Sequence, residues 1–359
     1  MKYTLSLVLF FTFSNAFAAK LFDDSSIINV ELKYDIARLQ ADKENLREEG
    51  LEGQFTSQLD NKSYKVQVLS RGKGSFDCKQ PQLKLKFNKK ENKGTQFSGI
   101  KKIKLFTKGT CLENKYDEEQ DKQIIANYLI YKLYEEVTDY GFKARLLKIK
   151  YIDTSNTYPN YEQYGFLLEP KKSLEKRLNL EYVEILDLLQ LADKIPSQTN
   201  SELVSIVNGF ELFISNYDYG IPGYFSHIID ASGHKDIYFG EKNSKMFKNI
   251  KGEMFPIIYD FDFSRFAYMA PICTFGYPFF MNDYDINCTI NAISSNIKAD
   301  LELFKYSQDV HDNSDKMLDA LKTWKEKNKT LISMLGAEYL KGLNNFPTAF
   351  QKAINETKQ

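Results

Sequence analysis

The 359-residue sequence has little of several residue types that often reveal a function. It contains three histidines, one tryptophan and four cysteines, and none of the cysteines forms a CxxC pair. This argues against a zinc site of paired cysteines and against a thioredoxin-like motif. Lys plus Arg and Asp plus Glu both number 48, so the chain has no net positive charge to favour a nucleic-acid partner. A GxSxG motif is also absent, which argues against a serine hydrolase.

The N-terminus has the features of a secretory signal peptide. Lys2 precedes an apolar run at residues 5–13 that is too short to span a bilayer, and an Ala-Phe-Ala cleavage pattern follows at 16–18. We therefore predict a signal peptide over residues 1–18 and an exported mature chain, either periplasmic or secreted. No later stretch has 18 uninterrupted apolar residues, so we expect no integral membrane segment after cleavage.

Export would place the four cysteines in an oxidising compartment, where disulfides are the first expectation. Three pairings are possible for Cys78, Cys111, Cys273 and Cys288. The local pairs Cys78–Cys111 and Cys273–Cys288 are favoured because each closes a modest loop, worth about 3–4 kcal/mol in the chain-entropy model. Four free buried thiols are the alternative.

Hydrophobic periodicity predicts a change of architecture along the chain. Residues 64–68, 83–87 and 103–106 alternate with the period of half-buried strands, and a helix follows Asp117. Strands are expected at 144–153 and 164–169, and helices at 173–194, 200–215 and from about 297 to the end. This order predicts an α+β protein with two lobes. The first, at 19–170, is β-rich with one long helix, and the second, at 171–359, is mainly helical.

Two carboxylates follow the apolar run that ends at Tyr259. Asp260 and Asp262 stand at positions i and i+2, so they share one face at a strand end. Such a pair suits a hard cation such as Mg²⁺. A solvated acidic turn is the alternative, but the neighbouring residues are apolar, and burying two acids without a cation is costly.

A second acid, Asp218, comes directly after the predicted helix 200–215. An Asp after a helix, with an Asp-rich strand end about forty residues later, has the order of a kinase catalytic loop and its metal-binding Asp. Strand lysines (Lys84 and Lys86) and a glycine turn beginning at Arg71 lie upstream, as in that template. Each feature alone is weak, since strand lysines are most often solvated.

Several motifs together resemble a known family. Arg71-Gly72-Lys73, Cys78 and the block Pro81-Gln82-Leu83-Lys84-Leu85-Lys86-Phe87 are similar to the early motif of the spore coat protein H-like (CotH-like) atypical kinases. The match is better still to an exported branch of that family with RGK…C…PxLxLxF and YDFD patterns. Further matching stretches include 102–105 with Cys111, 127–134, 165–169, 216–218, 259–263 and Cys288, so the resemblance covers roughly residues 28–290.

The resemblance implies a two-lobed protein-kinase-like fold, with ATP and Mg²⁺ as cofactors. It places Arg71, Lys84 or Lys86 near the nucleotide phosphates and Glu169 on the strand that leads to the hinge. It also implies Asp218 as the catalytic base and Asp260 with Asp262 as metal ligands.

The sequence departs from the family at one position that matters. The family pattern has a His-Asn pair shortly after the Asp, in which the Asn is a second metal ligand, whereas residues 224–227 here read Tyr-Phe-Ser-His. Two functions therefore stay open. One is a Mg²⁺-dependent phosphotransferase that acts on an envelope or secreted component. The other is a catalytically inactive kinase-like fold that serves as a binding or assembly module for an unknown protein or envelope component.

Overall fold

The computed structural model describes residues 21–72, 81–107, 118–184, 187–188, 195–216, 218–221, 226–229, 235–238, 242–262, 264, 266, 289–303 and 307–357. The predicted signal peptide and all four cysteines (Cys78, Cys111, Cys273 and Cys288) lie outside these described residues. Within the described residues, none of the helices is both long enough and apolar enough to cross a membrane.

Seven strands close into a barrel with the order β1-β2-β3-β4-β5-β7-β6. They are β1 (Ile28–Tyr34), β2 (Leu51–Ser57), β3 (Lys62–Arg71), β4 (Gln82–Phe87), β5 (Lys102–Phe106), β6 (Ala144–Asp153) and β7 (Tyr161–Leu168). Six neighbouring pairs are antiparallel and one pair, β1 with β6, is parallel. Short helix α1 (Ile36–Ala41) and a 3-10 turn (Asn45–Arg47) connect β1 to β2.

The parallel pair closes the ring. Its register runs from Ile28 opposite Leu147 to Tyr34 opposite Asp153. At the end of the pair, the Asp153 carboxylate accepts a hydrogen bond from the backbone N–H of Ile36 at 2.9 Å, and the N–H of Thr154 donates to the Tyr34 carbonyl at 3.0 Å. The start of α1 is thereby fixed to the end of β6.

Strict alternation of side chains fills the barrel. In β4, for example, Leu83, Leu85 and Phe87 are buried in the interior, while Gln82, Lys84 and Lys86 lie on the outside. Interior side chains from the other strands include Leu32, Phe55, Val66, Val68, Ile103, Leu105, Leu147, Ile149 and Leu167.

A second and larger core lies against the outer face of the barrel. Helix α2 (Glu118–Val137) packs on β6 and β7, and it is buried on most sides rather than along one stripe. Trp324 is also buried, and its indole N–H donates to the carbonyl of Leu129 in α2 at 2.7 Å. This core thus joins α2 to the C-terminal helices.

The remaining elements follow α2 along the chain, and several of the helices contribute side chains to this second core. The helices are α3 (Lys171–Leu178), α4 (Ile195–Gln198), α5 (Ser201–Phe213), α6 (Ile290–Leu303), α7 (Ser307–Lys327), α8 (Lys329–Ser333) and α9 (Ala337–Thr357). Strands β8 (Glu181–Tyr182), β11 (Ser244–Lys248) and β12 (Met254–Ile258) form a sheet in the order β12-β11-β8, and β9 (Ser226–Ile229) pairs with β10 (Lys235–Tyr238).

The predicted two-lobed kinase-like fold is wrong. The β region is a closed, mixed barrel and not an open lobe, because β1 and β6 pair in parallel and leave no free edges between them. Alternation within each strand predicts which face is buried, but it does not say which two edges meet. The helix expected at 173–194 also ends earlier, at Leu178, where Asn179 adopts a left-handed conformation before β8 begins.

We expect the Asp153→Asn substitution to loosen barrel closure in a pH-dependent way. Burial by itself raises the pKa of the Asp153 carboxyl, but donors from Ser155, Tyr158 and Ile36 outweigh it and lower the pKa to about 2. Because the folded pKa lies below the ordinary 3.8, the contribution to stability is present above about pH 4 and is lost as pH falls towards 2.

The variant should therefore lose about 1–2 kcal/mol at pH 7 and progressively less in acid. Urea unfolding from pH 7 to pH 2 measures this, beside exposed Asp139→Asn as a control. A deficit that stays constant with pH would contradict the role of the charge.

Candidate functional site

The two acids after β12 are held by an aromatic anchor between them. Phe261 is fully buried and packs on Tyr131 and Phe210, with ring centres 4.9 and 5.8 Å away. Asp260 adopts a left-handed φ of +71°, and its backbone N–H donates to the Tyr131 hydroxyl at 3.0 Å. Helix α2 therefore fixes the turn that presents Asp260 and Asp262.

Two cations on the outer face of the barrel lie close to these acids. Arg71, at the end of β3, donates from Nε to the Leu83 carbonyl at 2.9 Å, and its guanidinium lies 4.2 Å from the centre of the Phe106 ring. The Lys104 ammonium, on β5, lies 4.6 Å from the centre of the Tyr259 ring. Both cations interact electrostatically with Asp260. The barrel thus supplies the cations, and the second core supplies the carboxylates.

Asp218 joins the same site through Asn243. The Asn243 amide donates to the Asp218 carboxylate at 2.9 Å and to its carbonyl at 2.7 Å, while the Asn243 carbonyl accepts from the N–H of Tyr259 at 2.8 Å. Lys242 forms an ion pair with Asp218 at 2.5 Å. Asn243, directly before β11, thereby connects Asp218 to Tyr259, the residue that precedes Asp260.

Burial and like charge make the acids unfavourable in their ionised form. Burial raises the pKa of Asp260, Asp218 adds to the rise, and Arg71 with Lys104 opposes it. Burial raises the pKa of Asp262 further, with Asp260 and Asp218 as the next causes. A cation bound between the carboxylates would relieve this cost.

Burial also disfavours the charged form of the basic residues, and for them it lowers the pKa. Burial, and next the charge of Arg71, lower the pKa of Lys104 to about 8, while Asp260 opposes the shift. Burial also lowers the pKa of Arg71. An anionic ligand at these two side chains would offset the cost of holding them together.

The donor set fits Mg²⁺ bound together with a phosphate. Mg²⁺ is usually held by one or two carboxylates, with waters and substrate phosphates completing the shell. Asp260 and Asp262 supply that pair, and Arg71 with Lys104 faces it. Among the described residues, no group of three or more His, Cys, Asp or Glu side chains is close enough to form a metal site made entirely of protein ligands.

The other predicted site residues are arranged differently. Lys84 lies on the same outer face, where burial, then Lys102 and then Arg71 lower its pKa. Lys86 lines a separate surface cavity of about 650 Å³ together with Lys33 and Lys65. The structure therefore places Lys84 beside Arg71 and Lys86 farther along β4.

Glu169 follows β7, as predicted, but its carboxylate is engaged elsewhere. Both oxygens accept from Arg177, at 3.1 and 2.8 Å, and one accepts from the backbone N–H of Lys143 at 3.2 Å. It is buried, and these bonds attach the end of β7 to α3. The structure does not bring Glu169 to the acids.

Sequence patterns missed Lys104 and Asn243. Lys104, like Lys84, is a lysine that alternates with buried apolar residues along a strand. Nothing in that pattern distinguishes it from the other strand lysines, and only the order of β3, β4 and β5 in the barrel shows where it lies relative to Arg71. Asn243 lies 25 residues beyond Asp218, far from where the family pattern has an Asn. Its hydrogen bonds to Asp218 depend on the backbone pairing of Gly220 with Lys242, and the local sequence does not encode that proximity.

Comparison with models of known protein families finds no match. Comparison with curated proteins likewise finds none.

We expect Asp262→Asn to raise the stability of the ligand-free protein. The folded pKa of this acid is raised by burial, so the native state is penalised above the ordinary pKa of 3.8 and is not penalised well below it. The unfolding temperature should exceed that of the native sequence by about 2 °C or more at pH 7, and the gain should shrink towards pH 4. Thermal unfolding across this pH range measures the effect. A loss of stability at pH 7 would mean that Asp262 is already neutralised by partners in the fold.

We also expect Lys104 to be an unusually reactive amine near neutral pH. Its pKa of about 8 gives a large neutral fraction at pH 8, and only the neutral amine is acylated. Trace labelling with acetic anhydride, read by peptide mass spectrometry, should show a Lys104 rate that levels off just above pH 8. Exposed Lys102 on the same strand is the internal comparison. A Lys104 rate that rises in parallel with that of Lys102 up to pH 10 would contradict the shift.

Proposed function

We propose that this site binds ATP with Mg²⁺ and transfers its terminal phosphoryl group to an envelope or secreted component. One observation carries the proposal. The acidic side chains of Asp260 and Asp262 lie near cations: Arg71 interacts electrostatically with both acids, and Lys104 with Asp260. Phosphoryl transfer depends mainly on positioning and on charge stabilisation around the phosphates, and both signs of charge are needed for that purpose.

Each residue has a role in this scheme. Asp260 and Asp262 would hold Mg²⁺, and the side-chain oxygen of Asn243 is a third candidate donor. Arg71 and Lys104 would bind phosphate oxygens, with Lys84 beside them. When bound, Mg²⁺ would neutralise charge on the phosphates.

Asp218 would orient the acceptor hydroxyl and accept its proton. The new bond forms between the acceptor oxygen and the terminal phosphorus, while the bond from that phosphorus to the oxygen of ADP breaks. Lys242 forms an ion pair with the Asp218 carboxylate, and the Asn243 amide fixes its orientation.

The proposal includes export and membership of the CotH-like family, both of which rest on sequence patterns. It depends on the site and not on a kinase-like fold, which the structure contradicts. A catalytically inactive binding module is the second candidate. The observation in its favour is that the Asp218 carboxylate is already engaged by Lys242 and Asn243, which leaves it fewer free lone pairs for an acceptor hydroxyl.

Mg²⁺ with ATP should raise the unfolding temperature of the oxidised mature protein. A ligand present at a hundred times its dissociation constant stabilises the fold by about 2.7 kcal/mol, which corresponds to a shift of a few degrees. The shift should disappear in Asp260→Asn and remain in Asp312→Asn, which changes an exposed acid on α7. No shift in the native protein at millimolar Mg²⁺–ATP would overturn the proposal.

Turnover then separates the two candidates. With a phosphorylated acceptor as readout, Asp218→Asn should reduce transfer by a hundredfold or more and leave the Mg²⁺–ATP shift in place. Binding of ATP without any transfer to envelope material would favour the binding module.

A further inference from the structure

A cavity of about 650 Å³ on the outer face of the barrel takes no part in the proposed function. Its volume lies in the usual range for sites that hold a small molecule. The polar lining consists of three lysines, four uncharged side chains and two acids: Lys33, Lys65, Lys86, Gln54, Gln67, Asn88, Thr154, Glu52 and Glu91. Those on β1 to β4 face away from the barrel interior. We call this cavity the lysine–glutamine cavity.

Strand pairing sets the order of these side chains. Lys33 of β1 lies opposite Gln54 of β2, and Gln54 lies opposite Lys65 of β3. Because neighbouring strands are about 4.8 Å apart, the backbones of the two lysines are about 10 Å apart, with Gln54 between them. Two residues farther along β3, Gln67 lies opposite Lys86 of β4. Each of these rows therefore places an amide beside a cation.

No carboxylate neutralises the three lysines of the cavity. Among the ion pairs formed by the described residues, none involves Lys33, Lys65 or Lys86. Lys102 of β5 lies directly opposite Lys86, and two like charges in that arrangement are destabilising. An anion bound beside Lys86 would offset this cost.

The two acids in the lining restrict which anion is suitable. Glu52 lies opposite Gln67, in the same row as Lys86, and Glu91 accepts a hydrogen bond from the Asn88 amide at 3.0 Å. A molecule with an anionic group at every unit would bring like charge against these carboxylates, which is unfavourable. Hydroxyl groups, by contrast, donate to carboxylates and can both donate to and accept from amides. The lining therefore suits a ligand that carries hydroxyls between its anionic groups.

We propose that the lysine–glutamine cavity binds an acidic saccharide, with the lysines at its carboxylate or phosphate groups and the amides and acids at its ring hydroxyls. Both anions share this chemistry, since an ammonium group pairs with either. A nucleotide is less suitable, because Phe87 of the lining packs against Phe55 and Phe97 in the barrel core and has no free face on which a base could stack. The proposal does not depend on the proposed function.

Calorimetry with trigalacturonate and with a hexose bisphosphate tests the proposal and distinguishes the two anions. At least one of them should bind, and about tenfold more tightly than maltotriose, which has no charge, or triglutamate, which has no ring hydroxyls. Lys33→Gln, Lys65→Gln and Lys86→Gln should each weaken binding about fivefold. Lys62→Gln and Lys150→Gln make the same charge change at exposed positions of β3 and β6, and they should leave binding within about twofold.

Two further variants separate the role of the amide from that of the acid. Gln54→Leu keeps every charge and should weaken saccharide binding about fivefold, because it removes the hydrogen-bonding group between two lysines. Glu52→Gln removes a charge but keeps an acceptor for hydroxyls. Saccharide binding should therefore stay within about threefold in this variant, whereas binding of tripolyphosphate should become about fivefold tighter.

Several results would overturn the assignment. An equal loss of affinity in the control pair would show that only net charge matters. Triglutamate or tripolyphosphate bound as tightly as the saccharides would show that hydroxyls play no part, and maltotriose bound as tightly would show the same for the charges. Absence of saccharide binding at millimolar concentration would exclude the proposal. Unfolding temperatures close to that of the native protein confirm that each variant is folded.

Discussion

Closure of the barrel by β1 and β6 is the constraint on which the rest of the molecule depends. Once these strands pair in parallel, each barrel strand has one face inside and one face outside. The outside of β5, β6 and β7 then packs against α2, and the outer face carries Arg71 at the end of β3 and Lys104 in the middle of β5. An open sheet would leave an unpaired edge and would not fix the distance between these elements.

The candidate site lies where the two cores meet, and its stability is a compromise. Phe261 and Tyr131 fix the turn with apolar contacts and one hydrogen bond, which leaves the neighbouring acids in a poorly solvated position. Cations on the barrel offset part of that cost, but burial still raises the pKa of Asp260 and Asp262. An arrangement that is unfavourable without a ligand is typical of a site whose charges are completed by binding.

Much of the local structure could be predicted from the sequence, because periodicity reports burial directly. The alternation around Lys84 identified β4, and the apolar spacing after Asp117 identified α2. The acids at 260 and 262 do follow β12 directly, but Asp260 is left-handed, so strand alternation does not decide whether they share a face. The prediction that the helix from residue 173 continues beyond residue 178 is wrong, because Asn179 adopts a left-handed conformation that periodicity alone does not detect.

The sequence by itself determined which faces are buried, where the acids stand and which strands carry lysines, since these depend on neighbours within a few residues. Only the tertiary structure decided that the sheet closes, that Lys104 rather than Lys86 lies near Asp260, and that Asn243 binds Asp218. Each of these depends on pairing between segments far apart in the chain. Many strand edges, and many lysines on strands, look alike in the local sequence. Only the packing of the whole chain decides which edges pair and which lysines reach the site.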